Sequence, residues 1–369
     1  MPRLARRVCR QRRQRYCRHW SMAHSSSQVH RIYVDSEQVL LAFYIVTTIT
    51  ILISWILYLI QPEDPKLRNS LNGLDQSFLR WIQGIPKVSR LPSIWVKVCQ
   101  KVLMILSDNL IITGIAVLTA GYIQSCNSTL SFFDFHIVTW LGWLSSVTHQ
   151  ATLTTLRGYL REHRPVLKYR VAAMSLLFFM LFAALSLYAM YDFDGPMCFD
   201  SPVICAWTRE GWKNWGPDNV FSICLLTLSY LGKLMRLFVC TSDFIGIWLR
   251  RKPSRLLNSG FYSSIARMSN SRTVVGMIFW KLFGFLFFAV YVWVRALYDL
   301  FESTLSELIW LTLSFFWAFA KIHTCRSLMP RGYTGDPWAF GQLLALLLLA
   351  MPLMVLPELY SGKRQSHST

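Results

Sequence analysis

Apolar residues in this chain run in long unbroken blocks instead of alternating with polar ones, and the blocks share one length. The first reads VLLAFYIVTTITILISWILYLI, from Val39 to Ile60, and a helix needs roughly 20 such residues to cross a bilayer. Similar runs follow at Val102 to Ile123, Phe135 to Leu156, Val171 to Tyr191, Val220 to Val239, Val274 to Leu297, Leu305 to Ile322 and Pro337 to Leu356. A backbone in lipid must satisfy its own hydrogen bonds, so runs of this length predict helices. The expected fold is therefore all-α, a polytopic integral membrane bundle of about eight transmembrane helices forming one domain over residues 39–356. Residues 1–38 read as a polar and basic N-terminal segment, and 357–369 as a polar tail. Between the first two runs, Gln76 to Val98 has a mixed pattern broken by Pro86 and Pro92; it predicts a helix lying on the membrane surface.

Composition agrees with the pattern. Of 369 residues, 53% are hydrophobic and 15% charged, against about 25% charged in a soluble domain. Disorder and a disulfide scaffold are excluded. The net charge of +19 would suggest a nucleic-acid partner if it were spread over a soluble surface, but eight arginines precede Met22 and most of the other basic residues lie in connections beside apolar runs. The first, third, fifth and seventh connections hold basic residues such as Lys66, Arg161, Arg164, Arg250 and Arg331, whereas Gln124 to Asp134 has none. Such asymmetry puts the odd connections in the cytoplasm and both termini on the lumenal or outer side. The arginines from Arg3 to Arg18 oppose that orientation: either the working chain starts at Met22, the favoured expectation, or a span has been miscounted, the alternative being a further helix hidden in Gln76 to Val98. Asn127-Ser128-Thr129 is then a lumenal glycosylation sequon. Cys198 and Cys205 share one connection, either as a disulfide or as two free thiols.

No nucleotide-binding, metalloprotease or hydrolase motif is present, nor the aspartate-rich motif of a magnesium diphosphate site. Neither a metal nor a cofactor is expected. The remaining candidates are ionisable groups at membrane depth, which are costly to place there. Asp108 and His149 lie toward the inner ends of the second and third runs, with Arg157 on roughly the same side of the helix as His149. Glu307 and Arg295 lie toward the outer boundary, each embedded in apolar sequence. Structural alternatives stand beside each: a capping or ion-paired Asp108, a hydrogen-bonded His149, a snorkelling Arg157. Lys233, Arg236 and Lys281 are explained as snorkelling side chains with no further role. Aromatic residues make up 15% of the chain; they can form interfacial belts or line a site that stabilises a positive charge.

The segments SDNLIITGIAVLTAGYIQ (Ser107 to Gln124) and FHIVTWLGWLSSVTHQATLTTLRGYLR (Phe135 to Arg161) resemble a large group of fungal multi-spanning membrane proteins. The matching elements are Ser107-Asp108, Gly114, Gly121, His136, Trp140, Ser145-Ser146, Thr148-His149, Thr152-Leu153 and Leu156-Arg157-x-Tyr159. The resemblance covers mainly the second to fifth runs. Some members of the group resemble the membrane-bound terpene cyclases of the ascochlorin and ascofuranone type, which cyclise an epoxidised farnesyl chain on a phenol. That resemblance implies an endomembrane enzyme of fungal secondary metabolism, in the endoplasmic reticulum or a related membrane. It would be metal-independent, with a lipid-soluble prenylated small molecule and the bilayer as its partners. Asp108 or Glu307 would serve as the acid, and His149 as the proton acceptor or the group that orients Asp108. A small-molecule transporter or receptor-like protein is the rival expectation.

Overall fold

The computed structural model describes residues 37–60, 73–83, 93–126, 130, 132–189, 217–237, 263 and 274–327. Among them no strand occurs, and nine helices run in order: α1 (Glu37–Ile60), α2 (Gly73–Gln83), α3 (Ser93–Cys126), α4 (Phe132–Thr155), α5 (Arg157–Glu162), α6 (Arg164–Ala189), α7 (Pro217–Leu237), α8 (Val274–Glu302) and α9 (Thr304–Ser327). The chain is all-α over these residues. The N-terminal segment with Met22, Asn127, the Cys198 and Cys205 connection, the run Pro337 to Leu356 and the tail lie outside the described residues.

Among the described residues, five helices are long and apolar enough to cross a membrane: Val39–Ile60, Trp95–Cys126, Pro165–Leu187, Pro217–Leu237 and Thr304–Ser327. The third apolar run of the sequence, α4, is not among them. His136, Ser145, Ser146, Thr148, His149, Gln150, Thr152 and Thr154 make it too polar, and every residue from Phe135 to Thr154 is buried. It is the central helix of the bundle, enclosed by α1, α3, α6 and α9, with α7 reaching it through side chains. A helix polar on many faces can sit in such a place only if neighbours take up its donors. For several of them the neighbours do so: Thr148 donates to Thr47 at 3.1 Å, Ser145 to the Leu110 carbonyl at 2.6 Å, and Trp143 to the Ser314 carbonyl at 3.1 Å, whereas Thr139 and Thr154 bond carbonyls of α4 itself and the Trp140 indole N–H has no partner among the described residues.

Cross-contacts give each helix its direction. Leu103, Gly114 and Gly121 of α3 meet Thr152, Ser145 and Val138 of α4, so the two are antiparallel. In α9, Lys321 lies near His136 and Asp218, at the starts of α4 and α7, whereas Glu307 lies beside Lys233 and Arg236 at the end of α7. So α1, α4 and α7 point one way, and α3, α6 and α9 the other. The basic residues Lys97, Lys101, Arg157, Lys168, Arg170, Lys233 and Arg236 all fall toward one end, called here the basic end.

Close approach of α3 and α4 depends on glycine. A Cβ on Gly114 would lie 2.4 Å from Ser145 Oγ, and one on Gly142 2.7 Å from a Leu118 methyl. Gly114→Ala is expected to destabilise by about 1–3 kcal/mol through overpacking, seen as a lower unfolding temperature in detergent. Gly284→Ala in α8, where nothing lies within 4 Å, should not lower it.

The stretch Gln76 to Val98, expected as one surface helix, contributes to two elements: α2 and the start of α3. Asp75 on α2 is almost fully buried. Its carboxylate accepts from Tyr58 OH at 3.1 Å, Ser303 OH at 2.7 Å, and the backbone N–H groups of Thr304 and Leu305 at 3.0 Å each. It thus caps the N-terminus of α9 from a distant helix, where free N–H groups and the helix dipole favour an anion. This contact fixes α2 against the basic ends of α1 and α9.

Candidate functional site

Two ionic clusters sit at the level of the basic end, on opposite sides of α4. The first gathers on Glu307, in the first turn of α9. Its Oε2 accepts from Arg157 Nη2 at 3.1 Å and from Arg236 Nη1 at 2.9 Å, and its Oε1 is paired with Lys233. Lys233 is the most enclosed of the three cations, its side chain only 2% exposed, and it also donates to Thr154 of α4. One turn earlier on α7, Ser229 bonds Gln150, whose amide donates to Ser146 at 3.1 Å. Arg236 also lies over the Phe301 ring, 4.5 Å from its centroid. The cluster therefore joins α4, α5, α7 and α9.

These positions correct three expectations. Glu307 belongs with the basic end, not the outer boundary, because α8 and α9 join through Ser303 beside Asp75 and three cations hold the carboxylate there. Lys233 and Arg236 do not snorkel; they turn inward to Glu307. Arg157 does not share a helix face with His149, since α4 stops at Thr155 and Arg157 opens α5. With both oxygens accepting from cations, Glu307 has the bonding of a counter-ion that ties helices together.

The second cluster carries Asp108. Its Oδ2 accepts from Arg170 Nη2 at 2.6 Å; the arginine side chain is 3% exposed and the aspartate 47%. The pair bridges α3 and α6. Arg170 Nη1 is buried and has no hydrogen-bond partner among the described residues. Behind the pair lies His149, fully buried on α4. Its Nδ1 is 2.7 Å from Ser107 Oγ, and its Nε2 is 3.3 Å from the Arg170 carbonyl oxygen. A neutral imidazole donating from Nε2 and accepting at Nδ1 satisfies both contacts. His149 does not touch Asp108; it fixes the residue before Asp108 and the backbone of Arg170, so it positions the pair from behind. In the sequence Arg170 counts only as one more connection charge. Its signal was its place six residues into an apolar helix.

Aromatic rings are distributed over several seams. Tyr44 of α1 packs on Phe315 and Phe319 of α9, Trp140 and Trp143 sit in the core, and Phe178 stacks on Tyr230 between α6 and α7 with centroids 4.1 Å apart. The side chain of Arg295 lies outside the described residues. No group of three or more His, Cys, Asp or Glu with metal-binding geometry occurs among the described residues.

No family model, no curated protein and no solved structure matches this chain.

Proposed function

We propose that the chain is a multi-pass integral membrane enzyme of the terpenoid or meroterpenoid cyclase type, which closes an epoxidised prenyl chain drawn from the lipid. Its bundle would have its basic end in the cytoplasm, most naturally in an endomembrane. The observation that supports the reading is Asp108, a carboxyl half open on the outside of an apolar bundle and held from behind by a buried arginine. A prenyl chain lying over α3 and α6 would exclude water from this group, the setting in which a carboxylic acid keeps a proton to give. Transfer of that proton to the epoxide oxygen breaks a C–O bond. The cationic carbon is attacked by the neighbouring alkene, and the ring cation finally returns a proton to the carboxylate. Aromatic faces favour the cation while it lasts. The same requirement disfavours Glu307 as the acid, because three cations occupy its oxygens.

Membranes containing the full chain, incubated with an epoxy-prenyl phenol, should form a cyclised product of unchanged mass. Asp108→Asn keeps the shape of the side chain and removes the transferable proton, so turnover per folded molecule should fall by a factor of roughly 100 or more. Unchanged turnover in that variant would place the acid elsewhere. A second reading, a small-molecule transporter or receptor-like protein, is favoured by the ion pairing of both carboxylates, which suits binding better than proton transfer. Binding of the phenol without any product would support it.

A further inference from the structure

We propose that Asp108 and Arg170 together form a recognition site for the hydroxyl group of a lipid-soluble molecule lodged between α3 and α6. The inference rests on the reading above for the membrane setting, but not for any reaction: it takes Asp108 as the carboxylate paired with Arg170, the form that holds a hydroxyl and not the protonated form that would open an epoxide. Two observations on one ion pair carry it. Asp108 is bound through Oδ2 and stands half exposed, midway along a 34-residue helix and one turn from Ile112, which is 61% exposed. A carboxylate on such an apolar exterior needs a hydrogen-bond donor if lipid surrounds it. Arg170 is the converse case: a guanidinium with one nitrogen on Asp108 and the other, Nη1, buried without an acceptor among the described residues.

Because a guanidinium is planar and rigid, a group accepting from Nη1 sits beside the carboxylate bound at Nη2. The pair therefore presents an acceptor and a donor side by side. A hydroxyl satisfies both, giving its proton to Asp108 and taking one from Arg170. A carboxylate or phosphate would meet Asp108, an ammonium would meet Arg170, and a hydrocarbon would leave both unfilled. Nη1 is covered, so the ligand must open the α3–α6 seam slightly as it enters. His149 keeps Ser107 and the Arg170 backbone in place while this happens. The remainder of the ligand lies on the apolar surface beside Ile112. Alcohols and phenols with long apolar chains fit that description.

The test uses the purified full chain in nanodiscs of zwitterionic lipid and a long-chain alkylphenol with a diazirine on its chain. Two controls are the same probe without the phenolic hydroxyl and the same chain ending in a benzoate. Photolabelling is expected on α3 and α6, with the phenol favoured by roughly tenfold over each control. Arg170→Lys keeps a cation for Asp108 but lacks the second nitrogen of the fork, and should erase the preference while some labelling remains. Ile112→Trp, a change at an exposed position that leaves folding intact, should reduce phenol labelling by covering the seam. Equal labelling by all three probes would mean that water alone serves Nη1, and would overturn the proposal. So would labels on other helices, or a preference that survives both variants. Specific binding without turnover sinks the cyclase reading and leaves this site standing; turnover with no hydroxyl preference does the reverse.

Discussion

Glu307→Gln should be the most damaging single isosteric change in the described bundle. It leaves Lys233 enclosed between α4, α7 and α9 with no carboxylate, and breaking a buried ion pair from one side costs about 3–5 kcal/mol. The purified protein in detergent should unfold at a clearly lower temperature, and the yield of monodisperse material should drop. Lys233→Met alone should also be harmful, since Glu307 then keeps only Arg157 and Arg236. The double variant Lys233→Met with Glu307→Gln should recover part of the loss, because the charge and its partner are removed together. A Glu307→Gln protein as stable as the parent would show that the cluster is solvated and contributes little.

Asp75→Ala comes next. Four donors lose their acceptor: two hydroxyls and the first two N–H groups of α9. A lost cap costs about 1–2 kcal/mol and hydrogen bonds to a charged group about 1.5–3 kcal/mol each, offset in part as water reaches the freed groups; Ser303 adds no new cap, because its Oγ already accepts from the Ser306 N–H at 3.3 Å. A net loss of about 3 kcal/mol is expected. Its signature is local: faster amide exchange in α2 and in the first turn of α9, with the middle of α4 unaffected. Asp75→Asn keeps one acceptor oxygen and should fall between. Uniform exchange across all helices would contradict the capping role.

Much of the helical order could be read from apolar run length alone. Val39 to Ile60 coincides with the span within α1, and Val220 to Val239 and Leu305 to Ile322 overlap α7 and α9 closely. The place of each helix could not be read that way. Residues 135–154 carry hydroxyls, histidines and tryptophans on several faces, and only the positions of their partners, such as Thr47, Leu110 and Ser314, show that this helix is the centre. Glu307 was misplaced because counting connections assumes that every apolar run crosses and reverses. The single residue Ser303 between α8 and α9 gave no clue to the side on which that joint lies. Asp75 pairs with residues more than two hundred positions away, a separation that no local pattern reports. Arg170 was hidden by belonging to a basic group whose bulk effect on orientation explains its members without individual roles.

Chain order gives the buried centre a history. As α4 is made, α1, α2 and α3 are the described helices that precede it, and those already supply Thr47 for Thr148, Ser107 for His149 and the Leu110 carbonyl for Ser145. The partners of Gln150, Thr154 and Trp143 are on α7 and α9 and come later. In the membrane setting proposed above, a helix this polar would have little tendency to stay in lipid by itself, so its entry would depend on docking against α1 and α3 at once, as a three-helix unit with one polar flank still open. Ribosome-bound chains ending soon after residue 160 should hold α4 in that half-satisfied state until α7 and α9 arrive to close the open flank.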